Sequence, residues 1–182
     1  TMRGGFYCDN YQISGPAFTQ HIRTFNRALA DKHHTFLTNL PESISHAELD
    51  QAVQDRQDHQ LHRLFMEYLP PTFSRRHGDP SRPWNLFDIR VKDEQDRHII
   101  SYQGNWRDIF QNWEALSLSY PDYVNSIIAK FLNATTADGY NPYKVTSEGI
   151  DWEVIEPENP WSNIGYWGDH QIIYLCRLLE LS

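Results

Sequence analysis

The chain has 182 residues, 40% hydrophobic and 14% aromatic, with a formal net charge of −8. That length supports one domain with a real core and is short for two; the acidic balance argues against a nucleic-acid partner, whose phosphates demand clustered Lys and Arg. No run approaches the roughly 20 apolar residues of a membrane span, and TMRGGFYCDN has no hydrophobic signal core, so a soluble cytoplasmic protein without a membrane partner is expected, with Cys8 and Cys176 reduced.

Ser14 precedes a pattern in which Phe18, Ile22, Phe25 and Leu29 share a face and Ile13 can staple onto Phe18, predicting a helix over about residues 15 to 32. In LPESISHAEL, Ser45 is an N-cap with Glu48 three residues on and Ile44 set to staple onto Leu49, so a long helix should run to about Leu69 and stop at Pro70 and Pro71. Residues 70 to 84 have loop composition. Phe87, Ile89 and Val91 then alternate with polar residues, KDEQD makes a turn, and alternation resumes through Ile99 to Tyr102, predicting a β-hairpin near 86–103. A helix begins near Asn105, and another carries Pro121 in its first turn. Residues 137 to 168 read as a loop far longer than a connection needs, which points to function. The last segment, DHQIIYLCRLLEL, with Asp169 as N-cap, is apolar nearly all round and should be a buried helix. The expected fold is mainly α, one helical domain over 1–182 with a helical part at 1–70, the hairpin at 84–103, and helices with a long aromatic loop at 104–182.

Two segments carry the candidate chemistry. In GNWRDIFQNWEAL, Trp106, Ile109, Phe110, Trp113 and Leu116 form a core stripe, while Asn105, Arg107 and Asp108 in the first turn can face a cleft, where free N–H groups favour anionic or hydroxylic ligands. The alternative is that Asn105 caps the helix and Asp108 complements its dipole. In DWEVIEPENPWSNIGYWGDHQ, Trp152, Trp161, Tyr166 and Trp167 stand beside Asp151, Glu153, Asp169 and His170. Aromatic rings suit the C–H faces of sugars, and carboxylates and amides suit their hydroxyls; the same tryptophans could instead pin the loop to the helices. Glycosidic cleavage needs two carboxyl groups, and Asp108, Glu153 and Asp169 are the candidates. A stripe of Asp55, Asp58, His59 and His62 has metal-ligand residue types, but Leu49, Val53, Leu61, Leu64 and Phe65 take the core side, leaving it as a solvated face. No phosphate-binding glycine loop or GxSxG elbow occurs, which weakens nucleotide and α/β-hydrolase readings; no cofactor is expected, and with the Asp/His stripe solvated, no metal either.

The segments GNWRDIFQNWEALSLSYPDYVNSIIAKFLNATTADGYNPY and PWSNIGYWGDHQIIYL resemble part of the catalytic (α/α)6 toroid of large bacterial carbohydrate-active proteins, relatives of cellobiose phosphorylase and cyclic glucan synthase, over about residues 100 to 181. The resemblance implies that Arg107, Asp108 and Gln111, then Asp169, line a sugar site. The family's Trp-Asn-Asp-Gly-like acid motif is absent, and the helices are too few to close a toroid. The expectation is therefore a fragment or reduced relative, helical hairpins of a partial (α/α)6 toroid.

Three functions stay open. The first is a glycoside hydrolase or phosphorylase-like module binding a gluco-oligosaccharide, with Asp108, Asp169 and Glu153 as carboxylates and Asn105, Trp106, Arg107, Gln111, Trp152, Trp161, Trp167 and His170 holding the carbohydrate. The second is a non-catalytic fragment or interaction module, and the third a small esterase using His170 and Asp169. An open half-toroid would leave apolar surface, so a homo-oligomer with Ile172, Tyr174 and Leu178 near the contact is expected.

Overall fold

A computed structural model describes residues 6–7, 11–72, 93–96, 103–142, 144–152, 158 and 172–182. The fold is mainly helical. Two short strands open the N-terminal part: β1 (Phe6–Tyr7) and β2 (Gln12–Ser14), the second pairing antiparallel with β3 (Ser43–Ser45) so that Ile13 faces Ile44. Each strand of this ladder runs directly into a helix, α1 (Gly15–Phe25) after Ser14 and α4 (His46–Gln54) after Ser45. Ser14 Oγ accepts from Ala17 N over 3.3 Å. At Ser45 the capping box is complete, with Glu48 N donating to Ser45 Oγ over 3.2 Å and Ser45 N donating to Glu48 Oε2 over 3.1 Å. Gly15 is required at the start of α1, because a Cβ there would lie 2.2 Å from the Pro41 carbonyl oxygen.

Both long N-terminal helices of the sequence reading are broken, and a side-chain cap explains each break. Asn26 is extended and its Oδ1 accepts from Leu29 N over 3.0 Å, so α1 ends and α2 (Arg27–Lys32) begins, followed by α3 (His34–Thr38). The predicted helix from 46 to 69 divides after Gln54. Gln57 takes a φ of 51°, uncommon for a side-chain-bearing residue, and Asp58 starts α5 (His59–Glu67) by accepting from Gln60 N over 2.9 Å and Leu61 N over 3.3 Å. The other carboxylate oxygen of Asp58 accepts from Lys32 Nζ over 2.6 Å and pairs with His33 Nε2 over 2.8 Å. A continuous helix would have left that carboxylate on the solvated stripe; the break turns it inward and ties α5 to α2. After α5, β4 (Pro71–Thr72) pairs with β1.

Of the hairpin expected at 86–103, residues 93–96 form a turn in which Asp96 N donates to the Asp93 carbonyl over 3.1 Å; its flanking strands lie outside the described residues. Gln103 instead opens β5 (Gln103–Asn105), which leads into α6 (Trp106–Ser117). A 3-10 turn at Pro121–Tyr123 precedes α7 (Val124–Ala134), and α8 (Ile172–Leu181) closes the chain. The stretch read as a loop from 137 contains a hairpin, β6 (Lys144–Thr146) and β7 (Gly149–Asp151), which completes an antiparallel sheet in the order β5-β6-β7. Thr146 Oγ1 closes its turn by accepting from Glu148 N over 3.2 Å and Gly149 N over 3.1 Å.

Among the described residues, two hydrophobic clusters result. Phe18, Ile22, Leu49, Val53, Leu61 and Phe65 fill the first, among α1, α4 and α5. Trp106, Phe110, Trp113, Tyr123, Phe131 and Leu178 fill the second, among α6, α7, α8 and the sheet. They meet where α5 lies against α7. There Asn133 Nδ2 donates to Glu67 Oε1 over 2.8 Å, Lys130 Nζ sits 5.3 Å over the Phe25 ring, and Tyr123 stacks on Tyr11 at 5.8 Å. α8 departs from expectation. Leu175 and Leu178 are buried, but Ile172, Ile173, Leu179 and Leu181 are 44–53% exposed, since only one side of the helix meets α6 and α7. Leu178 is buried in the protein's own core, and Tyr174 packs half-buried against it.

No helix among the described residues is long and apolar enough to cross a membrane. No group of three or more His, Cys, Asp or Glu among them could hold a metal ion.

Two charge effects make the N-terminal part pH-sensitive. Hydrogen bonds from His33, then Lys32, hold the Asp58 carboxyl well below the usual carboxylate range, so its stabilisation is present above about pH 4 and lost as the pH falls further. In urea unfolding at pH 7, Asp58→Ala is expected to cost about 2 kcal/mol from the lost cap and charge-assisted bonds, and Asp58→Asn, which can still cap, about half of that. His21 behaves oppositely. Burial, and next the charge of Lys130, push its imidazole down from 6.5 to about 4. The unfolded chain takes up a proton below pH 6.5 that the folded chain refuses until about pH 4, so stability should fall across that window by on the order of 3 kcal/mol. His46, also lowered by burial, adds to the same trend. Unfolding midpoints at pH 7.5 and 5 should show the loss in the native chain and a much smaller one in His21→Phe.

Candidate functional site

The start of α6 and the first residues of the second candidate segment, Asp151 and Trp152, meet through the β5-β6-β7 sheet. The register pairs Asn105 with Lys144, and Lys144 with Asp151, so the strand end that becomes α6 and the strand end that carries Trp152 lie on either side of β6. Two strand spacings separate them, roughly 10 Å. Asp108 is in the first turn of α6, at the same end of the sheet. Trp152 follows β7 directly and is 46% exposed.

α6 divides its residues by face. Trp106, Ile109, Phe110, Trp113 and Leu116 are buried, as the core stripe predicted. Trp106, expected also to offer a ring to a sugar, has no exposed surface: its ring packs 4.5 Å from Phe110 and 5.0 Å from Phe131, centroid to centroid. A stacking platform needs an open π-face, and this one is occupied by the core. The opposite face of α6 forms a groove of about 560 Å³ with α8, lined by Gln111, Glu114 and Leu118 on one side and Arg177, Glu180 and Leu181 on the other. Arg177 Nη1 donates to Glu114 Oε1 over 2.9 Å across it, and that carboxylate pushes the Arg177 pKa up. The pair is exposed, so it contributes little to stability; a carboxylate held this way accepts hydrogen bonds.

Among the predicted site residues, Gln111 lines this groove, Trp152 stands at the surface and Trp106 lies in the core. The side chains of Asn105, Arg107 and Asp108, and the whole of Glu153, Trp161, Trp167, Asp169 and His170, lie outside the described set. Glu114, Arg177 and Glu180 escaped the sequence reading, because residues 63 positions apart meet only when α8 folds back on α6. A second cavity, lined by His21, Phe25 and Tyr68, escaped it too. There the apolar period of α1 pointed only to the core. In the Asp/His stripe, Asp58 is taken by Lys32 and His33, and His62 Nε2 approaches Asp50 Oδ1 at 3.9 Å.

Comparison with known proteins bears on the other half of the chain. Residues 7–70 match the family model of glycoside hydrolase family 149 insertion domain 1. The match spans α1 through α5 and ends beside Pro71, a minority of the chain. It links this part to glycoside hydrolase-related modules and does not single out cellobiose phosphorylase. No curated protein matches the chain closely enough to count as a relative.

Proposed function

We propose that the chain is a carbohydrate-binding module of a glycoside hydrolase-type protein, its α1–α5 part acting as a non-catalytic insertion and its α6–α8 part as helical hairpins of a partial toroid. Its ligand is a gluco-oligosaccharide. The observation that carries this reading is the convergence at one sheet end of the strand leading into α6 and the exposed Trp152. The insertion-domain similarity of residues 7–70 supports the same class. Trp152 supplies an apolar platform, Gln111 an amide along α6, and Asp108, Glu153 and Asp169 are the carboxylates for sugar hydroxyls, with Asn105, Arg107, Trp161, Trp167 and His170 in support. A cytoplasmic setting, with Cys8 and Cys176 reduced, goes with this reading.

Trp106 and Trp113 are both fully buried, so a fluorescence response to sugar should come from exposed indoles such as Trp152. Titration with gluco-oligosaccharides is expected to give a change saturating at millimolar sugar, reduced in amplitude and affinity by Trp152→Ala. A folded sample with no response at millimolar sugar would overturn the proposal.

A second reading, an interaction module that self-associates, is favoured by a separate observation. Leu118 is 72% exposed, near the half-exposed apolar residues of α8. At about 25 cal/mol per Å² of apolar area, covering several such side chains offers several kcal/mol to an association. Multi-angle light scattering should then give a dimer or larger at micromolar concentration, reverting with Leu118→Gln and Leu179→Gln. A stable 21.5 kDa monomer is the outcome that sinks it.

A further inference from the structure

The cavity on the outer face of α1 belongs to none of the sites above. It holds about 310 Å³ and is lined by Gln20, His21, Thr24 and Phe25 of α1, Tyr68 just beyond α5, and Glu148 in the turn between β6 and β7. Three separate stretches of chain enclose it. The four α1 residues fall at positions i, i+1, i+4 and i+5, a single stripe of the helix.

Its wall is aromatic and its rim polar. The His21 ring lies 4.6 Å from Phe25, tilted by 45°, and 5.0 Å from Tyr68, at 64°. His21 Nε2 lies 3.1 Å from the Leu64 carbonyl oxygen. A carbonyl only accepts, so Nε2 carries the hydrogen, and Nδ1 of the neutral ring is left as an acceptor. Gln20 Nε2 donates to Thr24 Oγ1 over 3.3 Å, which leaves the Gln20 amide oxygen able to accept and the Thr24 hydroxyl able to donate. Glu148 adds carboxylate acceptors from a turn held by Thr146 Oγ1.

Charge narrows the ligand class. Lys130 Nζ already sits 5.3 Å over the Phe25 ring, so a cationic ligand entering against that wall meets like charge. An anion meets Glu148. A neutral molecule fits, with several hydroxyls for the rim and an apolar C–H face for the wall. The volume is at the low end of the roughly 300–1,000 Å³ of small-molecule sites, enough for one ring.

We infer that this cavity binds a single neutral sugar ring, the terminal unit of a gluco-oligosaccharide, between α1 and the β6–β7 turn. The inference rests on the carbohydrate reading above and adds a second contact to it. Glu148 and Trp152 flank β7 at opposite ends of the same hairpin, about 13 Å apart along the strand, so one oligosaccharide lying along the hairpin can reach both.

The test is an NMR titration of the full chain with glucose, with a gluco-oligosaccharide and with choline chloride, following the Thr24 methyl, the Glu148 amide and the Trp152 indole. The variants are Gln20→Leu and Thr24→Val, both at exposed positions and checked for folding by circular dichroism. Saturable shifts of the Thr24 methyl and the Glu148 amide with both sugars, absent with choline and weakened at least fivefold at the Glu148 amide in either variant, are the expected result. Shifts confined to the Trp152 indole would remove the cavity and leave the carbohydrate reading standing. Silence at all three signals would remove both. Equal shifts in the variants, or an equal response to choline, would overturn the site or its neutral-ligand class.

Discussion

Two buried charges at the seam between α5 and α7 set the arrangement on which the rest depends. Glu67 and Lys130 are each less than a tenth exposed. An ionised group so placed must find partners, because its desolvation is otherwise uncompensated. Glu67 takes the Asn133 amide at 2.8 Å and the Arg63 guanidinium at 3.5 Å, while Lys130 lies over Phe25 and within the field of Glu67. These partners come from α1, α5 and α7. Few relative positions of the three helices satisfy all of them, so the seam orients one hydrophobic cluster against the other in a way that nonpolar packing alone would specify less sharply.

The features that could serve function hang from this seam. Holding α1 beside α7 puts His21 near enough to Lys130 to feel its charge, and burial then keeps the imidazole neutral. Holding α7 against α6 and the sheet leaves the β6–β7 hairpin with one end toward α1 and the other beside the start of α6. The polar side of α6 faces α8, where Glu114 and Arg177 span the groove. The aromatic side is consumed by the core. Of the described tryptophans in this half, Trp106 and Trp113 are buried in the core and Trp152 is half-exposed at the surface.

Two lines of similarity bear on different halves. The toroid resemblance concerned residues from about 100 onward, and the insertion-domain match concerns residues 7–70. The match leads to glycoside hydrolase-related modules; the toroid resemblance belongs to the proposed reading. They differ in what they imply for chemistry, since a toroid wall carries catalytic carboxylates and an insertion domain need not. Across the α6–α8 groove, the Glu114 carboxylate is engaged by the Arg177 guanidinium.

What the sequence determined by itself is what depends on neighbours a few positions apart. Ser14, Ser45 and Glu48 were legible as caps because a cap and its N–H partner are within three residues. The buried stripe of α6 was legible because helical period alone sorts Trp106, Ile109, Phe110 and Trp113 onto one side. The tertiary structure decided the rest. Asp58 interrupts a good helical pattern because its carboxylate finds Lys32 and His33, which are 26 and 25 residues away. The hairpin at 144–151 forms because β5 offers β6 a ladder edge across some 40 residues of chain. Lys130 is buried, and half of the apolar α8 is exposed, because the packing of α5, α6 and α7 decides which side of each helix is covered. Amphipathic period tells a residue which face it shares; it does not tell what that face will meet, since the free energy of a contact resides in both partners and only the fold brings the distant one near.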